Sequence, residues 1–241
     1  MTSACSRRDL RACHTVTEMD TRWRHPFSAI LAGPSNCGKS HFIKCLLLNS
    51  MSTLSVMPEN IVWFYSCWQK LYDELRSRYG FIKFVEGLPS TLDDNILLPK
   101  HKINLVIVDD LMACASDSVE IENAFTKYVH HKNLSIIYIV QNLFCQGKSS
   151  RTINLNAKYI VLFKNPRDKL QIATLARQMY PGKAAFFMEA YEDATEKPYG
   201  YLVVDLNTTT PESYRLRTGL FPPDLPASYV FKKSARGLKR R

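Results

Sequence analysis

The sequence has no apolar run of the roughly 18 residues that a membrane-spanning helix needs, so no membrane partner is expected. Residues 1–10 place Arg7, Arg8 and Asp9 early with no apolar block behind them, and no secretory leader is expected either. A disulfide framework is also missing. The seven cysteines, at 5, 13, 37, 45, 67, 114 and 145, are odd in number and scattered, which reads as free thiols in a reducing, intracellular compartment. No internal repeat or low-complexity tract is present, which sets solenoids and propellers aside. Acids are the scarcer charge: 22 Asp and Glu face 32 Lys and Arg, a net charge of +10 with His neutral. That balance favours an acidic partner, nucleic acid first. The 241 residues are otherwise ordinary, 46% hydrophobic and 22% charged. Such a composition excludes wholesale disorder, collagen and coiled coil, and the length suits one domain or at most two.

Residues 1–25 are polar and Arg-rich, so they are expected to form a flexible basic arm. From Pro26 onward, apolar runs of strand length alternate with amphipathic stretches. Strands are predicted at 27–32, 61–65, 82–85, 105–108, 136–140 and 159–163, with helices at 39–49 and 70–79. Asp117 and Glu120 are spaced as a capping box before Ile121, Ala124, Phe125 and Tyr128, which share one helical face. After Pro166 a further helix places Ile172, Leu175, Ala176 and Met179 on its buried side. Another helix and a strand at 201–205 close the domain, expected to span 26–210. Strands apolar on both faces and separated by helices imply a parallel sheet covered on both sides, an α/β sandwich. Residues 211–241 hold four prolines and end in Lys239, Arg240 and Arg241, the composition of a basic tail.

The most specific string is Gly33-Pro34-Ser35-Asn36-Cys37-Gly38-Lys39-Ser40, followed by His41, a full match to G-x-x-x-x-G-K-[ST] between a strand and a helix. The glycines let backbone amides point at phosphate oxygens, and the helix N-terminus adds its dipole. Lys39 is expected on the β and γ phosphates of ATP and Ser40 on Mg²⁺. The expected fold is a P-loop NTPase three-layer sandwich with a mainly parallel sheet, plus the basic C-terminal tail. A second strand, Leu105 to Val108, ends in Asp109 and Asp110. Asp109 is read as a second Mg²⁺ ligand and Asp110 as the base that orients and deprotonates the attacking water, against the plainer reading of Asp110 as a cap. A third strand, Ile136 to Val140, ends in Gln141 and Asn142. Gln141 is read as a γ-phosphate sensor, against a merely polar strand end. The strands at 61–65 and 82–85 supply enough chain for one strand to be inserted between the phosphate loop and the acidic strand.

Together, the strand Leu105 to Asp110, the string Tyr138 to Thr152 (YIVQNLFCQGKSSRT) and Leu162-Phe163-Lys164-Asn165-Pro166-Arg167-Asp168 resemble the genome-packaging ATPases of Polinton (Maverick) elements and related double-stranded DNA viruses, within the FtsK/HerA superfamily of ring-forming DNA pumps. The resemblance covers roughly residues 26–180. It implies a homo-oligomeric, hexameric motor that hydrolyses ATP to thread double-stranded DNA, whatever its sequence, into a capsid. It also implies capsid proteins as partners and a virion-associated or host-nuclear location. The chain departs from the superfamily's common Asp-Glu pair by having Asp109-Asp110, one methylene shorter. In a ring, an arginine of one subunit reaches its neighbour's nucleotide. Arg151, in the loop expected at 146–152 with Lys148, is the preferred candidate, with Arg167 and Arg177 as alternatives.

Other features carry less. Cys5, Cys13, His14 and His25 match no zinc spacing. His130 and His131 fall at an expected helix C-terminus, where positive charge is favoured structurally. Trp63 to Tyr65 read as core, and Trp68 as a nearer-surface residue able to stack on a base. The tail, with Lys232 and Lys233, reads as solvated, as a DNA or capsid contact, or as an import signal. Two rival functions stand beside the motor: a nucleotide-binding regulatory or capsid-vertex protein with little turnover, and a kinase using the same loop.

Overall fold

The computed structural model describes residues 12–13, 20–89, 97–111, 119–129, 133–144 and 149–231. Its parallel half follows the apolar runs. The strands β2 (Ser28–Ala32), β5 (Asn104–Asp109), β6 (Leu134–Val140) and β7 (Tyr159–Phe163) are buried along their whole length. Such runs form only where both faces of a sheet are covered. Alternate residues feed two cores. Ile30, Val62, Val106 and Ile136 face one side, while Leu31, Trp63, Ile107 and Ile137 face the other.

Helices cover each face. On the second side lie α1 (Lys39–Leu48), through Phe42, Ile43, Leu46 and Leu47, and, beyond the short turn α2 (Ser50–Thr53), α3 (Lys70–Arg78), through Tyr72 and Leu75. On the first side lie α4 (Val119–Asn123), continued by a π-helical turn over Ala124–Tyr128, then α5 (Ser150–Asn156), α6 (Leu170–Met179) and α7 (Ala184–Ala194). Ile121, Ala124 and Phe125 are buried as their spacing predicts; Asp117 of the expected capping box lies outside the described residues.

The remaining strands are β1 (Ala12–Cys13), β3 (Asn60–Tyr65), β4 (Ile82–Glu86), β8 (Tyr201–Asp205), β9 (Leu216–Thr218) and β10 (Ala227–Tyr229). The described strands form one sheet in the order β1-β10-β9-β8-β7-β2-β6-β5-β3-β4. From β4 to β7 every pairing is parallel; from β7 to β1 every pairing is antiparallel. The strand between the phosphate-loop strand and the acidic strand is therefore β6, which follows both in the chain, rather than either of the strands at 61–65 and 82–85. It pairs with both, placing Ala32 beside Val140 and Ile139 beside Asp109. The carboxyl ends of β2, β6 and β5 thus open on one edge of the sheet, where α/β folds bind ligands.

Three expectations are corrected. The folded unit begins before residue 26: Trp23 has 0% exposure and stacks on Tyr159 at 4.6 Å. The backbone of Trp23 also bonds to Thr53 and Ser55. A single large ring is enough to anchor a polar segment. The unit also extends past residue 210, because β9 and β10 lengthen the same sheet and Tyr229 is 2% exposed. Both strands are three residues long, too short for an alternating pattern to declare itself. Finally, the loop expected at 146–152 enters α5 at Ser150, anchored by the buried Ile153. Lys148, His130, His131 and the basic residues from 232 onward lie outside the described residues.

Candidate nucleotide site

The loop between β2 and α1 is shaped by conformations that its residues differ in tolerating. Asn36 has φ 63° and Gly38 has φ 104°, both in the left-handed region. Gly33 is required for a different reason. A Cβ there would lie 2.8 Å from Cys37 Sγ and 2.8 Å from the Cβ of Phe163, so only hydrogen fits between loop and β7. Gly38 precedes α1 directly, so the amides of the first helical turn point into the loop without internal partners. Lys39 folds back over this loop, its Nζ donating to the carbonyl oxygens of Gly33 at 2.6 Å and Pro34 at 2.7 Å.

Across the loop, Ser40 Oγ donates to Asp109 Oδ2 at 3.1 Å. The Tyr72 hydroxyl donates to the same oxygen at 2.8 Å. Asp109 is 3% exposed, and burial pushes its carboxyl above the ordinary range against the lowering effect of the two hydroxyls. Tyr72 is fully buried. Burial, with the Asp109 carboxylate beside it, pushes the phenol far above its ordinary range, so it remains a proton donor. No sequence pattern pointed to Tyr72, because its partner lies 37 positions away on another element. Ser40 and Asp109 bring a hydroxyl and a carboxylate oxygen into one place, the hard oxygen ligands that Mg²⁺ takes, so the residues present fit that ion.

One residue further along, Asp110 turns out of the strand at φ 53° and is exposed. Gln141 Nε2 donates to Asp110 Oδ1 at 3.0 Å, so the second acid of β5 and the first amide after β6 form a pair. Lys39, Ser40, Asp109, Asp110 and Gln141 line a single cleft of about 630 Å³, together with Ser35, Asn36, Gly38 and His41 of the loop region. That volume lies within the range of about 300–1,000 Å³ typical of small-molecule sites. Cys37 is partly buried, and burial raises its thiol above the ordinary value, which suits a small protonated residue inside the loop.

The arginines are elsewhere. Arg151 on α5, Arg167 and Arg177 are exposed, and none is among the residues lining the cleft. Helix α5 packs on the face of the sheet opposite α1. His25 bonds to Ser135 Oγ at 2.7 Å and Asn133 Oδ1 at 2.9 Å, a structural use. Among the described residues no group of three or more His, Cys, Asp or Glu side chains is placed to hold a metal, and no helix is long and apolar enough to cross a membrane. Trp68 is 43% exposed and packs edge-on against Tyr65, Tyr72 and Phe84.

Asp109 supplies a test by stability. Its raised pKa means that the folded state holds the proton more tightly than the unfolded chain. The favourable contribution is complete below the ordinary carboxyl range and is lost as pH rises through the folded value. Asp109→Asn keeps an oxygen for Tyr72 and Ser40 but removes the buried charge. At pH 8 it is expected to raise Tm by about 2–4 °C, on the order of 1 kcal/mol, and to flatten the acid side of the stability profile. A lowered Tm in thermal melts would show that the carboxylate stabilises the fold.

No protein-family model matches the sequence, and no curated protein sequence matches it. Solved structures do. The genome packaging NTPase B204 of Sulfolobus turreted icosahedral virus 2, in complex with sulfate, superposes with a TM-score of 0.55 at 14% identity, covering 77% of this chain and 94% of that one. The same protein in complex with ATP-gammaS gives 0.53 at 16% identity, over 76% and 94% of the two chains. B204 described as the DNA-packaging ATPase of Sulfolobus turreted icosahedral virus gives 0.52 at 14% identity, over 77% and 96%. The chain has the P-loop ATPase fold found in viral genome-packaging NTPases.

Proposed function

We propose that the protein is an ATP hydrolase that drives double-stranded DNA into a capsid, the subunit of a packaging motor of the FtsK/HerA type. The observation that carries the hydrolase reading is the joining of three strand ends in one cleft. The phosphate loop after β2 meets the end of β5 through the Ser40–Asp109 contact, and the Asp110–Gln141 pair joins the ends of β5 and β6 in the same cleft. Lys39 and the loop amides bind the triphosphate and hold its charge. Ser40 and Asp109 would hold Mg²⁺, which would supply positive charge against the charge of the triphosphate. Asp110 accepts the proton of the attacking water, and Gln141 orients Asp110 and the water together. The left-handed turn at Asp110 leaves this shorter acid exposed in the cleft beside Gln141, which supports the reading.

The packaging reading is supported by the fold shared with B204, whose structures are described as those of a genome packaging NTPase, and by the strings that resemble the Polinton type. The net charge of +10 suits backbone contacts to DNA that are indifferent to sequence and weaken with salt. The exposed Arg151, away from its own cleft, fits an arginine offered to a neighbouring subunit in a homo-oligomeric ring. Capsid proteins as partners and a virion or nuclear location belong to the same proposal.

The test is ATP hydrolysis with and without duplex DNA. Turnover per subunit is expected to rise with protein concentration and with DNA of any sequence. Arg151→Ala is expected to lower turnover at least tenfold while leaving nucleotide affinity unchanged, as a group acting only on the charge of the transition state would. Equal turnover per subunit at every concentration, or undiminished turnover in Arg151→Ala, removes Arg151 from the role. Nucleotide binding with no DNA-stimulated turnover and a strong preference for one DNA sequence would favour the regulatory or capsid-vertex protein. Phosphate transferred to a small acceptor would favour a kinase.

A further inference from the structure

A second cleft, of about 480 Å³, adjoins the first and shares Gly38, His41 and Tyr199 with it. The two differ in character. The first is lined by the hydroxyl, ammonium and carboxylate groups described above. The second is lined by a group of rings in which Phe42 meets Tyr201 at 4.9 Å and Phe221 at 4.9 Å, together with the charged groups of Asp193, Glu196, Lys197 and Asp224. A polar cleft that opens into an aromatic one has the division of a nucleotide: phosphates in one, the nucleoside in the other.

Tyr199 stands where the two meet. Its ring reaches the glycine of the phosphate loop, since a Cβ on Gly38 would lie 3.1 Å from Tyr199 Cδ1. The ring is nonetheless 70% exposed. It occupies the third position of a tight turn, Lys197-Pro198-Tyr199-Gly200, closed by a bond from the Gly200 amide to the Lys197 carbonyl at 3.0 Å. Tyr199 has φ 63°. Pro at the second position is the usual choice for such a turn, but at positive φ the third position calls for Gly or Asn, and a tyrosine there is strained. The turn is fixed by its neighbours: a Cβ on Gly200 would meet the Ala194 carbonyl oxygen at 2.5 Å. A bulky ring held in an unfavourable backbone conformation and left mostly in solvent gains little for the fold. Its position beside the phosphate loop supplies the missing reason.

We propose that Tyr199 is the platform on which the base of the bound nucleotide stacks, with the ribose and base entering the aromatic cleft. This rests on the phosphate-loop reading of Proposed function and adds the recognition of the other half of the ligand. Stacking strength follows the area of the base, so purine nucleotides are preferred over pyrimidine nucleotides.

Because the turn favours glycine, Tyr199→Gly separates binding from folding. Its Tm is expected to equal or exceed that of the parent. Calorimetric titration of the full chain with Mg²⁺ and ATP is expected to show about tenfold to hundredfold weaker binding, the usual effect of removing one stacking partner. Inorganic tripolyphosphate, which has no base, is expected to bind parent and variant equally. Tyr199→Phe, which keeps the ring, is expected to bind ATP within about twofold of the parent, and UTP is expected to bind the parent more weakly than ATP. If Tyr199→Gly binds ATP as the parent does while tripolyphosphate competes with ATP, the stacking platform is wrong and the phosphate loop stands. If the variant loses tripolyphosphate and ATP alike, Tyr199 supports the loop rather than the base, and the proposal is overturned. If the parent binds neither ligand, the phosphate-loop reading fails and this proposal fails with it.

Discussion

Lys39→Ala is expected to lower ATP hydrolysis by about 10²–10³-fold, the effect of deleting one preorganised charge donor from a phosphoryl-transfer site, while leaving Tm within a degree or two of the parent. The two halves of that expectation have separate causes. The ammonium is held by the carbonyl oxygens of Gly33 and Pro34, inside the loop and facing the cleft. It is a point charge that the loop has already oriented. The packing of α1 uses other residues, Phe42, Ile43, Leu46 and Leu47, so truncation of Lys39 removes no core contact. Lys39→Arg is expected to lose nearly as much, because a planar fork cannot occupy the space of a compact ammonium between two carbonyls 2.6 and 2.7 Å away. Steady-state phosphate release with and without DNA is the measurement. Turnover of Lys39→Ala within threefold of the parent would remove the site from its assigned place, whatever happens at Arg151.

The parallel half of the fold and the phosphate loop are legible in the sequence because both depend on local runs. A strand buried on two faces, such as Ile136 to Val140, has to be apolar throughout, and Gly33, Gly38, Lys39 and Ser40 are spaced by the geometry of a single turn. What was not legible depends on pairings between distant residues. The strand beside β2 on the acidic side is β6, more than a hundred residues later, and no periodicity reports which strand lies next to which. Tyr72 belongs to the site only through a hydroxyl aimed at Asp109 from another element. Tyr199 follows a proline in what reads as a plain turn, and only its φ of 63° and its contact with Gly38 set it apart. Trp23 sits among arginines and threonines. Its burial arises from Tyr159 and Thr53, neither of which is its neighbour in sequence.

The segments packed against the two edges of the domain, around Thr21 to Trp23 and on β9, are illegible for the same reason, and they carry the largest expected loss of stability. Arg217 on β9 lies opposite Val203 of β8, and Asp205, two residues along, is on the same face of that strand. The two side chains are 5% and 7% exposed, with Arg217 Nη2 donating to Asp205 Oδ2 at 2.9 Å. Arg217 Nη1 donates to the Thr21 carbonyl at 2.6 Å, so one guanidinium ties the N-terminal segment to the last antiparallel strands. Asp205 is further held by the amide and side chain of Asn207. Burial lowers the Arg217 pKa, against the raising effect of Asp205.

Asp205→Ala leaves that cation buried without its partner and is expected to cost about 3–5 kcal/mol, lowering Tm by roughly 10 °C. Arg217→Met fills similar space without charge but strands the Asp205 carboxylate and the Thr21 carbonyl, and it is expected to cost a similar amount. The double variant removes both charges together. Its loss is expected to be smaller than the sum of the single losses by at least about 2 kcal/mol, because most of each single loss is the penalty of the orphaned partner. Urea unfolding of the four proteins closes the cycle. Single losses that add to within about 0.5 kcal/mol would mean that the two side chains act independently and that the Trp23–Tyr159 stack, not the ion pair, fastens the ends of the chain to the sheet.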